Sequence, residues 1–542
     1  MPKLTHYFLS FFVLCLSTLL TMPVYAADIT VDSSCSLADA IAAANNDAAT
    51  GGCPAGSGAD TVTVAGNVTL TAPLPVIESD ITIEGNGYTI SGIKQHQIFW
   101  VEESGALTVQ NATLADGRGT DDDDLFDDDL LIGGAILNFG KLEVSDSVFT
   151  GNSADWGGAI LNFDEAYIIG SSLIGNSARL GGAIYSQIGS STSIVDSTFS
   201  NNTADYVGGG GGAYNLGEIS ISGTAFISNS AFFDGGAIYN LSKASINNSS
   251  FMGNSAGKGG SIYSQGDVSI SDSSFTSNSA RHSGGAISSK NGEAYVSRSF
   301  FTGNSAIGQS GGAIYNHYDS IISITVSAFT DNSSKSGGAI VNFEKADISD
   351  SNFTNNIAVK GGALGNWGEA SISDTNFMNN SAEEDGGAIY DDDEASISNG
   401  LFTGNSAGDE GGAIRITQDS DVIVSFSVFR DNTAEDGGAI YSWGKLSVGR
   451  STFINNSAVE EGGAIANHGT ASINDSILAD NPGGDCHLGR NGQLLESGNN
   501  HISDGSCGAT WSGTISDGYC PPGQEQGGVC EIGALELASA DS

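Results

Sequence analysis

Between Cys53 and Cys486 the chain contains no cysteine, and across all 542 residues it has only 8 prolines and 18 Lys plus Arg. Each shortage excludes something. Zinc sites built from cysteines need closely spaced pairs such as C-x-x-C, and no such spacing occurs. The few basic residues stand against 63 acidic ones, a formal charge of -45, so the field of the whole molecule repels nucleic acid and anionic lipid. Neither is an expected partner. A second long apolar run is also missing. The only one, Phe8 to Met22, lies between Lys3 and the small-residue site Val24-Tyr25-Ala26, which is the pattern of a secretory signal peptide over residues 1–26 rather than of a membrane span. The mature chain is therefore expected to be exported, with no integral membrane segment once the signal is removed, and to be monomeric.

Setting aside Cys15 in that leader, six cysteines remain: Cys35, Cys53, Cys486, Cys507, Cys520 and Cys530. An even number in an exported chain predicts disulfides. They lie at the two ends, so the ends are stapled and the middle relies on something else.

What the middle has is glycine and repetition. A GGA-aliphatic element recurs fourteen times from Gly133 to Gly462, mostly every 24 to 26 residues, with the fourth copy read as starting at Gly211. A second element, F-x-x-N, alternates with it from Phe149/Asn152 to Phe453/Asn456, and Leu173 and Leu478 take the Phe place. Such periodicity marks a stack in which each unit buries its apolar face only against its neighbours. Segments such as Leu142-Glu143-Val144-Ser145 and Ala244-Ser245-Ile246-Asn247 alternate apolar and polar residues, the period of a strand. The fold class that follows is all-β: a single-stranded right-handed parallel β-helix of about 24–26 residues per coil and about 80 Å long at strand spacing. The Ile of GGAI is expected to point inward and its successor outward. The Phe residues are expected to stack and the Asn residues to form an amide ladder.

The ends read differently. Ser36-Leu37-Ala38-Asp39 has the form of a capping box opening a short helix through Ala44, pinned by Cys35 and Cys53. The division expected is an N-terminal cap and first coils over 27–105, repeats over 106–481, and a disulfide-containing cap and tail over 482–542.

The GGA[I/L] and F-x-x-N elements over 133–481 together resemble the passenger region of the polymorphic outer membrane proteins, surface adhesins first described in chlamydiae. The ends resemble the CSLREA-domain proteins, through Cys35-Ser36-Leu37-Ala38-Asp39-Ala40-Ile41 and Cys530-Glu531-Ile532-Gly533-Ala534-Leu535-Glu536, although Ala38 and Asp39 replace the Arg-Glu of that motif. The first resemblance implies an outer-surface location and binding through a long lateral face to a protein or glycan of a host or neighbouring cell. Members of that family end in a translocator β-barrel, whereas this chain stops at Ala540-Asp541-Ser542; the expectation is attachment through a partner or a different secretion route.

Parallel β-helices also include pectate lyases and polygalacturonases, so a polysaccharide-active enzyme is the rival reading, and a structural envelope component is a third. Lys258, Lys290, Lys335, Lys360 and Arg415 fall in unrelated slots, and Asn467-His468-Gly469 occupies the slot of Asn366-Trp367-Gly368. The other mature histidines, His96, His282, His317, His487 and His501, show no ligand spacing. No catalytic residue and no cofactor is assigned, except that Ca²⁺ is a candidate along an acidic edge of Asp385, Glu410, Asp436 and Glu461, one just before GG on each of four successive coils. An acidic loop, Asp121 to Asp124 and Asp127 to Asp129, precedes the first GGAI. The candidate binding face is the tyrosine stripe after the Ile: Tyr185, Tyr239, Tyr263, Tyr315, Tyr390 and Tyr441.

Overall fold

The computed structural model describes residues 26–121, 130–206, 208–507, 525–526 and 529–530. The expected leader up to Tyr25, the acidic loop from Asp122 to Asp129, Cys520, the side chain of Cys530 and the signature from Glu531 onward lie outside them.

One coil shows how the sequence builds the rest. Ile262–Ser264, Asp267–Ser271, Ser274–Thr276 and Ser279–Ser283 are successive strands. Each pairs in parallel with its counterpart one period later: Ile262 with Ile287, Ile270 with Val296, Phe275 with Phe301 and Ala280 with Ala306. Repeated along the chain, this gives a right-handed parallel β-helix of about 17 turns with four sheets: a glycine–alanine sheet, a five-residue-strand sheet, a phenylalanine sheet and a narrow sheet.

The corners have a stereochemical cause. Residues at φ near +50° recur where the five-residue strand ends, as in Asp146, Asp196, Asn248, Asp272 and Asp350, and Gly, Asn and Asp dominate because they tolerate the left-handed region. Val326 and Phe426 occupy the same corner at φ 51, so pairing with neighbouring coils overrides local preference there. The first Gly of each GG turns the chain in the same way, and Gly284 sits at φ +65.

The lumen is a continuous apolar core in which Ile262, Val268, Ile270 and Phe275 are at most 1% exposed. Each is worth about 1.5–3 kcal/mol on burial before entropy. From Phe226 to Phe453 the rings stack face to face, with centroids 4.6–4.9 Å apart and interplanar angles of 9° or less. Leu173 and Leu478 stand in the Phe row, paired with Phe149 and Phe453.

Buried polar ladders run beside this core. In the F-x-x-N ladder, Asn278 donates from its backbone and its Nδ2 to Asn304 Oδ1, and from Nδ2 to the carbonyl of Phe251. Asn481 ends the ladder on Asp485 Oδ1 at 2.8 Å. Serine hydroxyls form a second ladder, in which the backbone N–H of Ser249 donates to Ser273 Oγ at 3.1 Å. A third follows GGAI, where Asn316, Asn342 and Asn366 are linked Nδ2 to Oδ1 at 2.8 Å.

Asp391 replaces Asn in that third ladder. It is fully buried, accepts from Asn366 Nδ2 at 2.7 Å and from Ser420 Oγ, and burial pushes its carboxyl up to about 6. Because the folded value lies above the unfolded one, its contribution is complete below about pH 4 and is lost as pH rises through about 6. Asp391→Asn is therefore expected to stabilise the protein at neutral pH, by on the order of 1–3 kcal/mol, and to lose that advantage near pH 4. Paired denaturant unfolding curves of both proteins at the two pH values check this; an equal difference at both would reject it.

Two readings from sequence need correction. The fourth repeat starts at Gly210, not Gly211: Ala213 pairs with Ile184 and Ile238, and Tyr214 with Tyr185 and Tyr239. Five consecutive glycines, Gly208 to Gly212, hid the register, which the hydrogen-bond pairing decides. The stack also runs one turn beyond the last repeat. Cys486–Leu488 pairs with Ile465–Asn467, Gln493–Gly498 with Thr470–Asn474 across a bulge, and Ile502 with Leu478.

The N-terminal end is covered by a helix. The helix α1, Leu37–Asn46, is capped by Ser36, whose Oγ accepts from the backbone N–H of Asp39 at 3.1 Å, and buries Leu37, Ala40 and Ile41. Disulfides join Cys35 to Cys53 and Cys486 to Cys507. The acidic excursion leaves and returns through an antiparallel pair, Thr120–Asp121 with Leu131–Ile132.

Candidate binding face and a histidine–carboxylate cluster

The outer side of the glycine–alanine sheet gathers most of the aromatic side chains that the lumen does not use. The position after the buried Ile points away from the lumen, yet Tyr185, Tyr239, Tyr263 and Tyr441 are only 3–7% exposed. The expectation of an open tyrosine stripe thus needs correction: outward from the lumen is not outward to solvent. Tyr185, Tyr214, Tyr239 and Tyr263 stack at 4.9–5.1 Å, with Trp156 below them, in an apolar spine flanked by Trp100, Phe139, Phe163, Leu216 and Leu241. Burial pushes the phenols of Tyr185, Tyr214, Tyr239 and Tyr263 up, so all stay neutral.

The rings more open to solvent stand two residues after the same slot, on coils where the slot itself holds Leu137, Leu161, Val341, Gly365 or Tyr441. Phe139, Phe163, Phe343 and Trp367 are half-buried and Trp443 is exposed. Phe139 stacks on Phe163 at 4.5 Å and Phe343 on Trp367 at 5.4 Å. The Trp367 ring lies over Gly365, where an added Cβ would sit 2.5 Å from it; glycine there lets the indole lie flat on the sheet. Tyr315 and Tyr390, the half-buried members of the stripe, touch the Phe343 and Trp367 rings. The sequence signal for these rings was an aromatic residue directly after the Asn or Ser that follows GGA-aliphatic-x, as in Asn138-Phe139, Asn162-Phe163, Asn342-Phe343, Asn366-Trp367 and Ser442-Trp443.

Charged groups lie along the same side. The cations are less scattered than the sequence suggested: Lys258 and Lys290 both lie close enough to act on Asp234 and His317. Burial, aided by those two lysines, holds His317 down at about 4. Lys360 reaches Asp385 at 2.9 Å and sits 5.1 Å over the Tyr390 ring, and Arg415 pairs with Glu410 beneath Tyr441. No pair of catalytic carboxylates was assigned from sequence.

The four acidic-edge residues do lie on successive coils, since Gly386, Gly411 and Gly437 donate to the carbonyls of Glu410, Asp436 and Glu461. Their side chains go to different partners. Asp385 meets Lys360, Glu410 meets Arg415, and Asp436 accepts from the backbone N–H of Glu461 at 3.0 Å. Glu461 instead faces two imidazoles, with Oε2 lying 3.3 Å from His468 Nε2 and 3.2 Å from His487 Nε2. From sequence His487 showed no ligand spacing and His468 was a repeat-slot substitution; the extra coil brings His487 over Ala466 and so beside His468.

A family model described as the Chlamydia polymorphic membrane protein repeat matches residues 146–162, 248–265, 272–290, 298–317, 374–392, 399–417, 426–442 and 450–468. Stretch 272–290 runs from the left-handed corner at Asp272 through Phe275 and Asn278 to the GGAI strand, so the shared pattern covers the residues that stack, ladder and turn. The chain is a polymorphic membrane protein-type repeat β-helix. That repeat is one of outer-membrane surface proteins. No curated protein and no solved structure matches the chain. Among the described residues, no helix of this polymorphic membrane protein-type chain is long and apolar enough to cross a membrane.

Proposed function

We propose that the protein is an exported, adhesin-like β-helix that binds a protein or glycan of a neighbouring or host cell surface along the outer side of its glycine–alanine sheet, without catalysis. The observation that carries this reading is the half-exposed aromatic row of Phe139, Phe163, Phe343, Trp367 and Trp443. The lumen already buries a complete core, so stacking of the coils does not require rings outside it. A solvent-edged row of flat rings suits sugar faces or apolar side chains of a partner. Tyr315, Tyr390 and Tyr441 back Phe343, Trp367 and Trp443, and the repeat family supports a location at the cell surface.

Two sets of variants separate recognition from architecture. Replacing Phe343, Trp367 and Trp443 together by Ser is expected to weaken binding to glycan arrays or target cells at least about tenfold, with a small change in Tm. Tyr239→Ser, inside the stack, is expected to lower stability by about 2–4 kcal/mol. Binding that survives loss of the exposed row would sink the proposal. Arrays scored for cleavage as well as binding test the polysaccharide-active alternative directly, because chain scission would replace the adhesin reading with an enzyme.

A further inference from the structure

Glu461, His468 and His487 converge from two coils. Glu461 precedes the last GG, His468 follows the Asn of the same coil, and His487 sits in the extra coil, in register with Ala466. The three donor atoms all lie within 4.8 Å of one another, and the two carboxylate-to-imidazole separations are 3.2 and 3.3 Å. Two ligands about 2.0–2.1 Å from a tetrahedral zinc lie about 3.3 Å apart, so two edges of the triangle already have the required length.

The imidazole of His468 is held in place. Its ring packs against Trp443 at 4.7 Å and Tyr441 at 5.1 Å. The extra coil passes so close that a Cβ on Gly489 would fall 2.1 Å from His468 Nδ1. Its buried Nε2 makes no hydrogen bond although the carboxylate oxygen of Glu461 lies 3.3 Å away. Two imidazole nitrogens within 3.3 Å of one carboxylate oxygen form a donor set for a cation that prefers nitrogen, not for calcium, which takes oxygen ligands. The groove that they line is rimmed by Leu488, Arg490 and Asn491.

We propose that Glu461, His468 and His487 bind one divalent first-row transition-metal ion of the zinc type, with a remaining position open to water in the groove. The ion joins the last regular coil to the extra one. It acts beside the Cys486–Cys507 disulfide, which ties the same coil one residue away, so that metal and disulfide together hold the end of the stack.

The test is calorimetric titration of ZnCl₂ into tag-free, chelator-stripped protein, followed by melting curves with and without Zn²⁺. Co²⁺ serves as a visible-absorption probe of coordination. The result expected is one ion per chain, a rise in Tm on binding, and d–d bands of low-symmetry Co²⁺. In His468→Gln, His487→Gln and Glu461→Gln, each confirmed as folded by circular dichroism, affinity should fall at least about tenfold. Absence of saturable Zn²⁺ binding to the unsubstituted protein would overturn the site, as would equal affinity in all three variants. A preference for Ca²⁺ over Zn²⁺ would overturn the metal class.

Discussion

Gly285→Ala is expected to be among the most damaging single substitutions in the repeats. Its Cβ would fall 2.0 Å from the carbonyl oxygen of Gly312 and 2.6 Å from the backbone nitrogen of Ser305, both in the next coil. Backbone cannot rotate aside as a side chain can, so the coils must separate, and the hydrogen bonds of the neighbouring sheets separate with them. The expected loss exceeds about 4 kcal/mol, the range reserved for disrupted cores. Because a solenoid is held by nearest-neighbour interfaces, the break should be local. Amide hydrogen exchange should accelerate around Ile287 and Phe301 before it does near Ile440. Gly87→Ala is the control: nothing lies within 4 Å of the added methyl there, and the positive φ of +77, which Gly285 does not share, leaves only backbone strain of about 1–2 kcal/mol. If both variants melted alike, the close approach of the coils would not be what requires the second glycine.

Asn278→Ala should come next. The substitution strands the backbone N–H of Asn254, which donates to Asn278 Oδ1 at 3.0 Å, and the carbonyl of Phe251, which accepts from Asn278 Nδ2 at 2.9 Å. Asn304 Oδ1 loses the Nδ2 donor but keeps the backbone N–H of residue 278, and Asn254 Nδ2 loses its acceptor. Each buried polar group left unpaired is worth about 1–3 kcal/mol, so a loss of about 3–5 kcal/mol is expected in chemical denaturation. Asn352→Ala, which breaks only an exposed amide pair with Asn376, should change stability by about 0.5 kcal/mol or less. Similar losses in the two variants would mean that the ladder contributes no more than surface amides do.

These two positions show what was legible beforehand. Phe and Asn at a fixed interval on nearly every coil have one explanation, stacking, and rings 4.6–4.9 Å apart follow from strand spacing. The capping helix was equally legible, since Ser36 and Asp39 form a local motif. The tyrosine stripe was legible in position but not in exposure. Whether Tyr239 meets solvent depends on Tyr214 and Tyr263 beside it and Leu241 alongside, and a pattern of one coil does not contain its neighbours. The aromatics that follow the Asn or Ser after GGA-aliphatic-x were visible in the repeats, but their exposure was not.

The amino-acid sequence by itself determined the period, the strand-by-strand alternation, the inward Ile and Phe positions and the stapled ends, because each rests on interactions repeated every coil or confined to a few residues. Tertiary structure alone decided the start of the fourth repeat at Gly210, the covering of the tyrosines and the meeting of Glu461, His468 and His487. All three depend on register between coils. Where glycines run together or the repeat breaks off after Asn481, sequence no longer fixes that register, and the pairing of hydrogen bonds between neighbouring strands does.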